Sequence, residues 1–84
     1  MKTKKTLLQH PTLVNDLYRI SNNITTGSRF FRSFQGIMNH YTAGDTFQAA
    51  IIDEQINAGI RELQEAVKRL EALKKNYKTY ATQL

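Results

Sequence analysis

From Asp45 to the end of the chain the apolar residues keep one rhythm. Ile56, Ile60, Leu63, Val67, Leu70, Tyr77 and Leu84 advance by fours and threes, with Lys74 and Ala81 in the same stripe. That spacing is helical, and it predicts one long helix over residues 46–80 with Ile60 and Val67 at a positions and Ile56, Leu63, Leu70 and Tyr77 at d. Asp45 is the expected N-cap, and Gln48 three residues later completes a capping box. The g positions are Gly59, Ala66, Leu73 and Tyr80 rather than charged residues, so the apolar face is wider than a simple zipper seam. The start of the a/d stripe, around Ile56 to Val67, reads as intramolecular core. Its end reads as a surface for a partner.

The rest of the chain must cover this helix. Pro11 suits a first helical position, and Leu13, Leu17, Ile20 and Ile24 repeat at helical spacing, giving a helix over 11–26 with Gly27 as its natural C′ residue. Ser28 can cap a second helix over 28–43, carrying Phe30, Phe34, Ile37 and Tyr41 on one face. One kinked helix over the same residues is the alternative. Thr42 to Asp45 is the clearest break, and residues 1–6 form a basic arm expected to be disordered. The fold class is all-α, a single domain over 1–84: two short helices or one kinked helix against a long C-terminal helix, with a coiled-coil-like seam.

Helix lengths turn this into a statement about partners. The two short helices span about 23 Å each and the long one about 50 Å. A folded-back pair covers half of the long helix, and a continuous one still leaves a side of the stripe open. The residues left over, Leu70, Leu73, Tyr77, Tyr80 and Leu84, point to a homodimer and to a protein partner. Phe31 joins them, because it lies about 100° round the helix from Phe30 and burying it needs a second neighbour.

Composition excludes more than it assigns. With no cysteine there is no disulfide framework and no thiolate metal site, as befits a reducing cytoplasm. His10 and His40, the only histidines, lack metal-site spacing. No enzyme chemistry, cofactor or metal is expected. The basic start is followed by only Leu7-Leu8 before polar residues and Pro11, so no secretion signal or membrane span is expected either.

The net charge of +5 leaves nucleic acid as the alternative partner. Its contacts would be Lys2, Lys4, Lys5, Arg29, Arg32, Lys68, Lys75 and Lys78, with aromatics between Ser28 and Phe34 available for stacking. Glu62, Glu65 and Glu71 interrupt the basic face of the long helix. The second helix is too aromatic, and the third too long, for a helix-turn-helix reader.

In its opening Leu7-Leu8-Gln9-His10-Pro11-Thr12-Leu13-Val14-Asn15-Asp16-Leu17-Tyr18 and its Lys-rich helical end, the chain resembles the RIII-type accessory antiholins of T-even bacteriophages. The resemblance is of general character over the whole chain and rests on no diagnostic motif. It implies a cytoplasmic protein-binding regulator that engages the soluble segment of a holin and delays lysis. It carries over no site residues.

Overall fold

The computed structural model describes residues 5–84, which form an antiparallel hairpin of two long helices, α1 over Pro11–Met38 and α2 over Thr46–Thr82. A short 3-10 turn, Leu7–Gln9, precedes α1, and Gln9 Oε1 accepts from the Thr6 backbone N–H at 2.6 Å. His10 then takes an extended conformation (φ −82°, ψ 118°), as the residue before a proline must, and Pro11 opens α1. Lys2 and Lys4 of the basic arm lie outside the described residues.

Of the two arrangements expected for residues 11–43, a pair of short helices or one helix, the structure has the single helix. Gly27 sits in its interior and ends nothing, and Ser28 caps nothing. A glycine costs about 1 kcal/mol within a helix, and here that cost is offset by packing, because Gly27 meets α2 at short range. A Cβ on Gly27 would stand 3.0 Å from Leu63 Cδ2 and 3.7 Å from the Gly59 carbonyl oxygen. Gly59 faces it across the crossing, with its own Cβ position 3.5 Å from Phe30 Cβ. Two glycines thus let two backbones meet.

Helix α1 stops at Met38, short of the expected Ala43. Asn39, His40, Tyr41 and Thr42 are poor helix formers, and the last turn tightens to His40 N–H to Ile37 O (3.0 Å) and Tyr41 N–H to Met38 O (3.1 Å). Gly44 turns the chain at φ +89°. Asp45 caps α2 as expected, its Oδ1 accepting from the Gln48 N–H at 3.0 Å. The Gln48 side chain reaches past Asp45 to the Thr42 N–H instead, at 3.1 Å.

The seam between the helices is a heptad pattern, but not the one expected. On α1 it comprises Leu13, Asp16, Ile20, Asn23, Gly27, Phe30, Phe34 and Ile37. On α2 it comprises Ile52, Gln55, Gly59, Glu62, Ala66, Arg69, Leu73 and Tyr80. All of these are buried or half-buried. The stripe running Ile60, Leu63, Val67, Leu70 is turned outward, with Leu63 47% and Val67 53% exposed against 3% for Ala66. The inner seam won because Gly59 and Ala66 let α1 approach closely, and bulky Ile60 and Val67 would hold it away.

The seam is also partly polar. Asn23 Nδ2 donates to Glu62 Oε2 at 2.8 Å near its middle, and Arg69 pairs with Glu65 at 3.4 Å along α2. Of the two, the half-buried Asn23–Glu62 pair crosses from α1 to α2 and so helps fix the register, whereas the Arg69–Glu65 pair lies within one helix.

Candidate interaction surface

Antiparallel pairing places corresponding flanks of two coiled helices on the same side. Relative to the seam, Leu17, Ile24, Phe31 and Met38 of α1 occupy the same flanking position as Ile56, Leu63, Leu70, Tyr77 and Leu84 of α2. Val14, Ile60 and Val67 extend the two rows outward. The two helices therefore share one apolar outer face, and Leu63 lying over Gly27 bridges its two halves. Apart from half-buried Ile56, every one of these side chains is more than a third exposed, Phe31 at 53%. An exposed apolar face of this kind makes it the candidate interaction surface.

Of the residues expected at a partner surface, Phe31, Leu70, Tyr77 and Leu84 lie on this face. Leu73 and Tyr80 do not. They belong to the inner column with Ile52, Gly59 and Ala66, one position round the helix from the outer stripe, and are half-buried against α1. The face runs the length of the hairpin, so it also takes in Ile60, Leu63 and Val67, the residues assigned from sequence to the intramolecular core.

Tyr80 instead builds a clasp between the two ends of the chain. Its hydroxyl donates to Asp16 Oδ2 at 3.1 Å, and its ring lies 4.7 Å from that of His10. His10, buried, has Nε2 2.7 Å from Gln83 Oε1. With a carbonyl oxygen as acceptor, the imidazole carries its proton on Nε2. Partial burial, then the hydrogen bond to Asp16 and the Asp16 charge, raise the Tyr80 pKa above its ordinary value. The phenol therefore stays protonated and keeps donating. His10 thus packs between Tyr80 and Gln83, while His40 is exposed beyond the end of α1.

Apart from Lys74 on the apolar face and Arg69 in the seam, the basic residues of the two helices occupy the opposite side and the edges. Arg29, Lys68 and Lys75 sit one step beyond the polar flank of the seam, and Arg32 and Lys78 on the outer edges. Glu62, expected to interrupt this basic surface, is drawn into the seam by Asn23, and Glu65 is engaged by Arg69. Lys5 is exposed ahead of the first turn. Among the described residues there is no cluster of three or more His, Cys, Asp or Glu suited to a metal ion, and no helix long and apolar enough to cross a membrane.

Searches among family models, curated proteins and solved structures return no match for the chain.

Proposed function

We propose that this chain is a non-enzymatic protein-binding regulator whose binding surface is the apolar outer face of the hairpin. The observation that carries this reading is the continuous row of exposed apolar side chains contributed by both helices, centred on Leu63 and Phe31. Affinity on such a face comes from burying aromatic and aliphatic anchors, and surrounding charge tunes the rate of encounter. The likeness to accessory antiholins supplies the kind of partner: the soluble segment of a holin, met in the cytoplasm of an infected bacterium, with delayed lysis as the outcome. Capture of that segment by the purified chain is the test. Phe31→Asp and Tyr77→Asp should each weaken capture about tenfold or more while leaving the far-ultraviolet circular dichroism unchanged. Normal capture by both variants would remove the surface proposed.

A nucleic-acid role uses the other side of the molecule. The withdrawal of Glu62 into the seam favours it, since this clears one acidic residue from among the lysines. The two readings separate cleanly, because Lys68→Glu with Lys75→Glu leaves the apolar face untouched. Binding to random DNA that is micromolar at low salt, falls steeply with added salt and is lost in this double variant would select the nucleic-acid reading.

A further inference from the structure

The hairpin is a ribbon one helix thick, 12 Å in its smallest extent and 69 Å in its longest. Its buried apolar side chains among the described residues are Leu13, Ile20, Ile52 and Ala66 of the seam, a small core beside that of a domain built from two packed layers. A compact monomer of 9.7 kDa exposes about 5,100 Å², whereas this chain exposes 6775 Å². The surplus is well over about 1,000 Å² per chain. Doubled, it falls in the range of obligate homodimers, about 2,000 Å² and upward.

The charges on the outer face indicate what covers it. Among the described residues only two members of its stripes are charged, Asp53 and Lys74, both on α2 and three heptads apart. They are opposite in sign, and their midpoint, between Leu63 and Gln64, coincides closely with the middle of α2 at Gln64. Everything in the stripe between them is apolar. Such a pattern is complementary to its own image under a two-fold axis through that midpoint. A parallel pairing would instead set aspartate on aspartate and lysine on lysine.

We infer that a second copy of the chain covers this face, with the two α2 helices antiparallel about a two-fold axis beside Leu63, forming a four-helix bundle. Asp53 of each copy then meets Lys74 of the other. The same operation carries Tyr77 of one copy towards the groove at the loop end of the other, an open cavity of about 370 Å³ lined by Met38, Tyr41, Ala49, Ile52 and Asp53. An aromatic ring fills the apolar part of that groove, and its hydroxyl finds the Asp53 carboxylate at the rim. The inference rests on reading this face as the association surface, and it makes the second copy and the protein partner competitors for it.

Sedimentation equilibrium of the full chain across the micromolar range is the test. The expected result is a dimer that Asp53→Lys or Lys74→Asp weakens about tenfold or more and that the charge-swapped double variant restores to within a few-fold. Circular dichroism checks that each variant remains helical. In this cysteine-free chain, an equimolar mixture of Asp53→Cys and Lys74→Cys chains should oxidise to the mixed disulfide in preference to either homodimer. A helical chain that stays monomeric overturns the inference, and so does a dimer whose charge swap restores nothing and whose mixed disulfide is not preferred. Capture of the protein partner is read separately. A monomer that still captures it removes the second copy and leaves the binding role standing.

Discussion

The glycines do different work at different places. Gly44 holds a φ of +89°, where a Cβ is strained, so Gly44→Ala should cost about 1–2 kcal/mol. Gly36 has nothing within 4 Å of its Cβ position, which rules out the close helix approach that could have explained it. Gly36→Ala should therefore stabilise the hairpin by about 0.5–1 kcal/mol through backbone entropy alone. Gly59→Ala should gain less, since its Cβ must settle against Phe30. Urea unfolding of the three variants measures all of this. Tyr80 gives a pH effect of definite sign. Its folded pKa lies above the ordinary 10.0, so the fold favours the neutral phenol. That contribution is complete below pH 10.0 and is lost as the pH rises through the folded value. Stability should therefore fall more steeply above that pH in the parent chain than in Tyr80→Phe, as thermal melts at alkaline pH would show.

Each element was legible to a different depth. The long helix and its Asp45 cap followed from local signals, a capping residue and an apolar period, and the structure has both. Continuity through Gly27 was left as the alternative, because a glycine after Asn22, Asn23, Thr25 and Thr26 looks like a stop until the facing Gly59 is known. The choice of seam was hidden for a related reason. The a, d and g columns of α2 are all apolar or small, and only the approach of α1 decides which turns inward. The exposed apolar face was accordingly read at its end, around Leu70 and Tyr77, and not along Ile60 to Val67, which the structure also leaves exposed. Substitutions separate the two stripes. Ala66→Asp or Ile20→Asp places a charge in the seam and should abolish helical structure. Leu63→Asp, which the sequence alone would expect to unfold the chain, should leave the helices intact and abolish association. Circular dichroism beside sedimentation distinguishes these outcomes.

At the scale of the whole molecule, the radius of gyration is 19.0 Å, where a compact chain of this length has about 12 Å. Such a rod has no centre. Each seam residue relies on the few next to it along the axis and on whatever lies over the outer face, so thermal stability should rise with protein concentration if the face is covered by a second copy. The clasp at the open end also bears on how the rod comes apart. His10 and Gln83 stand 73 residues apart in sequence but side by side in space, whereas Thr42 and Gln48 at the loop are joined by a short turn. Pairing can begin at that turn and close towards the termini like a zip, each step lengthening the enclosed chain at little entropic cost. The order of opening is the reverse. Amide hydrogens near His10 and Tyr80 should exchange with solvent first, and protection in the helices should deepen from there through the glycine crossing at Gly27 and Gly59 towards the turn.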